Sequence, residues 1–245
     1  MPRRRRPQLR ALVNRATAPL FKGDRVECPV CGRRFDRFRA YTSEVNNNSY
    51  LMCPACGSLG RHRLDWLFLR ERTNLLRAPI RLLHVAPELS LGARFEALEN
   101  VEYVSADYDS ALANEQMDIR DIKYPDATFD AIVCNHVLEH VDDDRLALSE
   151  LFRVLKPGGW ALLQVPIGRA RQTTYDDPTI TSDRDREREF GQYDHVRIYG
   201  SDYPARLADA GFDVEVIAYA DEFDADEVRR MGLDRGELIH LARRP

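Results

Sequence analysis

Four cysteines in the first quarter of the chain form two copies of one short pattern. Cys28-Pro-Val-Cys31-Gly is repeated as Cys53-Pro-Ala-Cys56-Gly. Each pair can place two thiolates on one metal ion, and two pairs complete the tetrahedral set that zinc prefers. Because four thiolates leave no open position for a substrate, the pattern predicts a structural zinc site rather than a catalytic one.

Two other uses of these cysteines suit the sequence less well. A disulfide framework would need an oxidising compartment, of which the sequence gives no sign. A thioredoxin-like redox site would need only one Cys-x-x-Cys pair. The fifth cysteine, Cys134, lies in an apolar segment, and we expect it to be buried rather than to act as a nucleophile.

Composition and the spacing of apolar residues divide the chain of 245 residues into four parts, and the second part contains these cysteines. Residues 1–23 are a basic N-terminal segment. Residues 24–60 are rich in Cys, Gly, Asn and Pro, which predicts a small zinc ribbon held by metal rather than by an apolar core. Apolar residues at helical spacing predict a linker helix within residues 61–79, and residues 80–245 form the main domain.

Short apolar runs alternate with helical stretches throughout the main domain. The runs predict strands at Arg81–Ala86, Val101–Ala106, Phe129–Asn135, Trp160–Pro166, Phe212–Tyr219 and Glu237–Ala242. Helices are predicted at Leu89–Glu99, Asp142–Leu155 and Ser201–Ala210. Nearly continuous apolar strands that alternate with helices favour a parallel sheet covered on both faces, which is the doubly wound α/β class.

A polar, charged insertion at residues 167–200 interrupts this alternation. Long insertions in compact domains are usually lids or binding loops. Its last part combines a histidine and an arginine with several aromatic residues. His195 could act as a general base, and Arg197 could bind an anionic acceptor. The alternative is a solvated loop in which Arg197 makes an internal ion pair.

Four stretches of the main domain form a set with a family resemblance. They read Leu-Leu-His-Val-Ala-Pro-Glu at 82–88, Val-Ser-Ala-Asp at 104–107, Met-Asp-Ile at 117–119 with Phe-Asp-Ala-Ile-Val-Cys-Asn-His-Val-Leu-Glu-His-Val at 129–141, and Leu-Phe-Arg-Val-Leu-Lys-Pro-Gly-Gly-Trp at 151–160. With these stretches the main domain resembles the class I methyltransferases, specifically those with a type 11 methyltransferase domain. The resemblance implies a Rossmann-like sheet and S-adenosylmethionine as the cofactor.

The resemblance also implies which residues contact the adenosine part of the cofactor. Asp107 ends the second strand, where a carboxylate can accept hydrogen bonds from both ribose hydroxyls. Asp109 is the nearby alternative. Asp118 would accept the adenine amino group, while Ile119 would offer its backbone N–H.

The loop after the first strand departs from the family pattern. Most relatives have a glycine-rich loop there, whereas the matching positions of this chain are His84, Ala86 and Glu88. Glu88 could pair directly with the ammonium group of the cofactor. The His-Val-Ala-Pro-Glu form resembles a bacterial subfamily. An altered loop is also compatible with weak cofactor binding or with a lost activity.

The implied reaction sets modest chemical demands. Methyl transfer is an in-line displacement from a positively charged sulfur, so the enzyme mainly holds the nucleophile close and aligned. A general base helps only where the acceptor must lose a proton. Asn135 and His136 follow a predicted strand and should face the crevice beyond the carboxyl ends of the strands. The candidate catalytic residues are therefore His136, His195 and Arg197.

Charge is distributed unevenly along the chain. Residues 1–81 carry 18 Lys and Arg residues against 6 acidic ones, whereas residues 82–245 carry 18 against 34. A basic front part could bind RNA or an anionic substrate, or it could dock on the acidic remainder of its own chain.

Three functions are compatible with these features. The favoured one is an S-adenosylmethionine-dependent methyltransferase that acts on a small-molecule, sugar or lipid-linked acceptor. One alternative is an rRNA base methyltransferase that binds RNA through its basic zinc ribbon, and the other is a non-catalytic zinc-containing binding protein. No apolar run approaches the roughly 18 residues of a membrane span. With no apolar stretch behind the N-terminal arginines, we expect a cytoplasmic protein.

Overall fold

A seven-stranded sheet forms the centre of the computed structural model, which describes residues 13–14, 16–42, 49–109, 112–168 and 170–245. Most of the basic N-terminal segment lies outside the described residues. The helices and strands are, in chain order, β1 Val26–Glu27, β2 Arg34–Phe35, β3 Arg39–Thr42, β4 Ser49–Met52, α1 Gly60–Arg72, β5 Ile80–Val85, α2 Leu89–Phe95, β6 Val101–Asp107, β7 Glu115–Gln116, β8 Phe129–Asn135, α3 Asp144–Val154, β9 Leu155–Gln164, β10 Tyr175–Asp176, α4 Asp183–Phe190, β11 Arg197–Ile198, α5 Tyr203–Asp209, β12 Asp213–Ile217, α6 Ala225–Met231 and β13 Ile239–Arg243.

The order of strands in the central sheet is β12-β13-β9-β8-β5-β6-β7. Strands β5, β6, β7, β8 and β9 pair in parallel, which confirms the predicted α/β class. The sheet is mixed near one edge, where β13 runs antiparallel to both β9 and β12. Strand β13 enters the sheet between two strands of the opposite direction, an arrangement that alternating apolar runs do not reveal.

The predicted strands and helices of the main domain all overlap observed ones. Phe129–Asn135 is observed with the predicted bounds, whereas β9 begins at Leu155 instead of Trp160. The reason is local: Leu155 still pairs with Phe129, and the register shifts before Trp160 pairs with Ala131. None of the helices in the described part of the chain is long and apolar enough to cross a membrane.

Two hydrophobic clusters cover the two faces of the sheet. Leu82 and Leu83 of β5 belong to different clusters because successive side chains of a strand point to opposite faces. The cluster of Leu82 includes Trp66 of α1 and Phe38, which lies within the cysteine segment (residues 24–60). The cluster of Leu83 includes Leu148 of α3. The cysteine segment and α1 therefore share one core with the sheet.

A buried carboxylate ties the insertion to the main domain. Asp144, at the start of α3, is 2% exposed. It accepts two hydrogen bonds from Arg206, at 2.7 and 2.8 Å, and one from the Tyr199 hydroxyl at 2.7 Å. Burial raises the pKa of Asp144, but the hydrogen bonds from Arg206 and Tyr199 and the charge of Arg197 outweigh it, so the pKa is lowered.

Replacing this carboxylate should destabilise the protein in a pH-dependent way. We expect Asp144→Asn to lower the free energy of unfolding at pH 7 by about 3 kcal/mol, because it removes the nearest ionic partner of the largely buried Arg206 guanidinium. A carboxylate with a lowered folded pKa stabilises above its unfolded value, about 3.9, and this contribution is lost as the pH falls through the folded value. The difference between wild type and variant should therefore shrink below about pH 4.

The measurement is urea unfolding at several pH values. Asp209→Asn is the matched control, because Asp209 pairs with Arg145 where both side chains are 64% exposed, and it should leave stability nearly unchanged. Equal stability of Asp144→Asn and wild type at pH 7 would contradict the assigned role.

Candidate functional site

A cavity of about 670 Å³ opens at the carboxyl ends of β5, β6 and β8. Its lining includes Val85, Ala86, Asp107, Tyr108, Met117, Asp118, Ile119, Arg120, His136, Val137, His140, Arg186, Asp194 and Val196. Strand β5 lies between β6 on one side and β8 on the other, so the chain reverses its direction of winding here. Ligands of open α/β sheets bind at such a switch point, and the volume suits a small molecule.

The residues that follow β5 and β8 have the same unusual backbone conformation. Ala86 has φ +49° and His136 has φ +55°, in the left-handed region that favours glycine. Such strain costs about 1–3 kcal/mol and concentrates at functional sites. Hydrogen bonds hold both turns, from Ala86 N to the Ala106 carbonyl and from His136 N to the Gln164 carbonyl. These turns bring Ala86 and His136 to the cavity wall.

Two of the predicted cofactor residues, Asp107 and Asp118, line the cavity from adjacent strand ends. Asp107 ends β6, and its Oδ1 accepts the backbone N–H of Asp109 at 2.8 Å. Asp118 accepts bidentate hydrogen bonds from Arg120: Nε donates to Oδ1 at 3.0 Å and Nη2 donates to Oδ2 at 2.7 Å. The hydrogen bond from Arg120 lowers the pKa of Asp118. Ile119, the third predicted adenosine contact, also lines the cavity.

The His84–Glu88 pair lies behind the first loop. His84 is fully buried, and neither His84 nor Glu88 nor Asn135 is among the residues that line the cavity. Its Nε2 lies 2.7 Å from Glu88 Oε2, and its Nδ1 lies 3.0 Å from the Tyr103 hydroxyl. Burial raises the pKa of Glu88, but the hydrogen bond and charge of His84, with His62, outweigh it and lower that pKa to about 2. Glu88 is therefore a carboxylate.

Sequence reasoning missed two residues of α1 that complete this buried polar cluster. Asp65 is 1% exposed, and its Oδ2 lies 3.3 Å from Asn135 Nδ2. His62 is 7% exposed, rather than a surface residue, and its Nε2 lies 3.9 Å from Glu88 Oε1. Among the described residues, Asp65 Oδ1, Asn135 Oδ1 and His62 Nε2 have no hydrogen-bond partner. The only sequence signal was their i, i+3 spacing on one helix.

Two ionisable residues of the sequence Asn-His-Val-Leu-Glu-His contact each other beside the cavity. His136 Nδ1 lies 3.3 Å from Glu139 Oε1, and the Glu139 side chain is 2% exposed. Burial raises the pKa of Glu139, but the hydrogen bond and charge of His136 outweigh it and lower that pKa. In the described structure His136 Nε2 has no hydrogen-bond partner. This nitrogen is buried beside the cavity.

The insertion contributes differently from its prediction. Arg197 is 3% exposed and donates to the carbonyls of Leu138, Val141 and Asp142, with Leu138 and Asp142 both at 2.7 Å. Its guanidinium also lies 3.8 Å from Asp144. This corrects the expectation that Arg197 binds an anionic acceptor, because the guanidinium is engaged inside the protein. Arg197 instead matches the alternative in which it makes an internal ion pair.

His195 does not line the cavity itself but packs against His140, which does. Its ring packs edge to face against His140, with centroids 4.7 Å apart, and its Nδ1 lies 3.2 Å from the Phe190 carbonyl. Burial and the neighbouring His140 lower the pKa of His195, which favours a neutral ring. His140 and Asp194, rather than His195, line the cavity on this side.

The four cysteines of the repeated pattern come together as a compact cluster. The four sulfur atoms all lie within 4.8 Å of one another. The sulfurs of Cys28 and Cys56 are 3.6 Å apart, and those of Cys31 and Cys53 are 3.8 Å apart. A tetrahedral zinc ion with Zn–S bonds of about 2.3 Å places its sulfurs about 3.8 Å apart. The donor set and spacing therefore fit zinc.

A fully buried arginine links this cluster to α1 and to the C-terminal part of the chain. Arg63 donates to the carbonyls of Ser58 at 2.6 Å, Leu51 at 3.0 Å and Gly232 at 2.6 Å. It also stacks on Phe38, 4.1 Å from the ring centroid. Gly232 has φ +61°, and a Cβ there would lie 2.8 Å from the guanidinium, so this close approach needs glycine.

Comparison with known families bears directly on this site. Residues 85–163 match the family model described as a methyltransferase domain. The match spans the first loop, Asp107, Asp118 and the His136 turn, so it includes the strand ends that form the cavity. It excludes the cysteine segment, α1 and the insertion.

The most similar relatives include two methyltransferases of small molecules. The 27-O-demethylrifamycin SV methyltransferase of Amycolatopsis mediterranei is 29% identical over 116 residues, 45% of this chain and 39% of that protein. A ubiquinone biosynthesis O-methyltransferase of Xanthomonas oryzae is 36% identical over 93 residues, 37% of this chain and 35% of that protein. The chain thus spans well under half the length of these curated relatives.

Solved structures with a similar fold include an S-adenosylmethionine-dependent methyltransferase from Mesorhizobium loti. It has 15% sequence identity and a TM-score of 0.49, over 74% of this chain and 98% of that one.

Proposed function

We propose that this chain is an S-adenosylmethionine-dependent methyltransferase acting on a small-molecule acceptor. The observation that carries the proposal is the cavity at the carboxyl ends of β5, β6 and β8, whose walls come largely from the matched methyltransferase domain. The two relatives named above are methyltransferases of small molecules, which supports the same acceptor class. When bound, the cofactor supplies the methyl group and a positively charged sulfur.

The adenosine end of the cofactor would lie against β6 and β7. Asp107 can accept hydrogen bonds from both ribose hydroxyls, because a carboxylate has about four lone-pair sites. Asp118 is held by Arg120 and retains capacity for one further donor, such as the adenine amino group.

The amino-acid end of the cofactor would lie against Glu88, Asn135 and α1. Its ammonium group needs acceptors, and the unpartnered oxygens of Asp65 and Asn135 lie in this cluster with the Glu88 carboxylate. Burial, with the nearby Glu237 and Glu88, raises the pKa of Asp65 well above its usual value. A bound cation would favour ionised Asp65. The linker helix thus provides the acid that the first strand lacks at His84.

The cysteine cluster would hold one structural zinc ion. Cys28, Cys31, Cys53 and Cys56 have the donor type and spacing for it, and the Ser58 hydroxyl lies 3.1 Å from Cys28 Sγ. Four thiolates and one Zn²⁺ carry a net charge of −2, which Arg63 partly offsets. Such a site fixes the start of α1 and takes no part in methyl transfer.

Cofactor binding tests the proposal directly. We expect S-adenosylmethionine and its demethylated product to bind wild type with micromolar affinity. Asp107→Ala should weaken binding at least about tenfold, because each hydrogen bond to a charged group contributes about 1.5–3 kcal/mol. Isothermal titration calorimetry measures both. Asp121→Ala is the matched control, since Asp121 is exposed and pairs with Lys123. An absence of binding to wild type would favour the non-catalytic alternative.

Metal content tests the zinc site. We expect about one zinc per chain in freshly purified, reduced protein, and none after Cys53→Ala. Because the cysteine segment shares a core with the sheet, the variant should also lower the melting temperature of the whole chain. Cys134→Ala is the control, since Cys134 lies in β8 away from the cluster, and it should keep its zinc. Zinc-free wild type would contradict the proposal.

His136 is the proposed general base. His136→Ala should lower turnover by about 10²–10⁴-fold with an acceptor that must lose a proton, while cofactor affinity stays close to wild type. The assay is radiolabelled methyl transfer to a panel of hydroxylated small molecules, followed over pH. A loss below about tenfold would mean that His136 only positions the acceptor, because a general base contributes more than that.

A further inference from the structure

We propose that Glu139, His140 and His195 form a second metal site, which holds a divalent transition-metal ion beside the acceptor end of the cavity. Among the described residues, only two groups bring three or more potential ligands together, and the four cysteines are the other. One oxygen of Glu139 and one ring nitrogen of each histidine lie within 4.8 Å of one another.

The Glu139 carboxylate provides the independent sign of a missing ligand. Glu139 is 1% exposed, and its Oε2 has no hydrogen-bond partner in the described structure, although Oε1 contacts His136. A buried carboxylate oxygen without a partner is costly, since charged groups pay a larger desolvation penalty than neutral ones. A cation between Glu139 and the two histidines would satisfy it.

Backbone carbonyls hold both histidine rings as metal ligands require. His195 Nδ1 lies 3.2 Å from the Phe190 carbonyl, and His140 Nδ1 lies 3.2 Å from the Asp194 carbonyl. Each ring can only donate to a carbonyl, which leaves a lone pair on Nε2. Metal-binding histidines characteristically donate their other N–H to a carbonyl or carboxylate in this way.

The ligand set indicates the class of metal. Two imidazoles and one carboxylate on one side of an ion are typical of octahedral Fe²⁺ and related ions, and they leave positions open for other ligands. Ligands about 2.1 Å from an ion lie about 3.0–4.2 Å apart, so a small side-chain adjustment closes the site. This ligand set contrasts with the four thiolates of the cysteine cluster.

The position of the site suggests its role, which rests on the proposed function. His140 and Asp194 line the same cavity as Asp107. An acceptor with adjacent oxygens, such as a vicinal diol or a hydroxy acid, could coordinate the open positions. The ion would lower the pKa of the coordinated hydroxyl. That hydroxyl proton would pass to His136, and the oxygen would use the electron pair so freed to form the new bond to the methyl carbon. The bond between that carbon and the cofactor sulfur would break, with its electron pair left on the sulfur, which departs neutral.

Direct Mn²⁺ binding tests the site without an acceptor. Mn²⁺ prefers oxygen and nitrogen ligands to thiolates, so the zinc-loaded cysteine cluster should not bind it. We expect electron paramagnetic resonance to show one bound Mn²⁺ per wild-type chain. His195→Ala and Glu139→Gln should each weaken binding by at least tenfold. Glu187→Gln, an exposed substitution in the same insertion, should bind as wild type does.

Two outcomes would overturn the metal site. One is wild-type protein without bound Mn²⁺ at millimolar concentration, and the other is retention of wild-type affinity by both variants. Melting temperatures show whether Glu139→Gln is folded, and His195→Ala gives a second test from a half-buried loop position. Cofactor titration of the same samples keeps the two proposals separate. A chain that binds S-adenosylmethionine but not Mn²⁺ refutes only the metal site.

Discussion

The buried guanidinium of Arg63 is the interaction on which the arrangement of the site depends. Burying an unpaired ion costs several kcal/mol, so this cation is tolerated only because three carbonyls and an aromatic face surround it. Those carbonyls belong to Ser58, which follows the second Cys-x-x-Cys pair, to Leu51 of β4 and to Gly232, which follows α6. Arg63 thereby fixes the start of α1, and the first two turns of this helix carry His62 and Asp65 to the strand ends. The cysteine segment and the cavity are joined by the single helix α1.

A second constraint comes from the parallel strands themselves. Strands β5, β6 and β8 end at the same edge of the sheet, so the residues that follow them converge although they are far apart in sequence. Asp107 and His136 come together for this reason alone. The left-handed backbone of Ala86 and His136 turns the chain away at once and leaves the strand ends open. The strained backbone of Ala86 and His136 and the open cavity therefore both result from the sharp turns that follow β5 and β8.

The first loop keeps a negative charge through a buried pair. His84 occupies a buried strand position, and its imidazole holds Glu88, four residues later, as an ionised carboxylate. A negative charge therefore remains near the strand end, and the buried Asp65 of α1 lies in the same polar cluster. This cluster gives α1 a role beyond linking two parts of the chain.

The sequence by itself determined the features that depend on local spacing. The repeated Cys-x-x-Cys pairs, the apolar runs of the main domain and the acids that end its strands were predicted because each involves residues close together in the chain. The antiparallel insertion of β13 was missed because strand direction depends on long-range pairing. His62 and Asp65 were missed because burial of polar side chains on a helix depends on what packs against it. Arg197 was misread for the same reason, since the carbonyls that bind it lie more than fifty residues away in sequence. Only the tertiary structure could decide which charged residues face the cavity and which are engaged inside the protein.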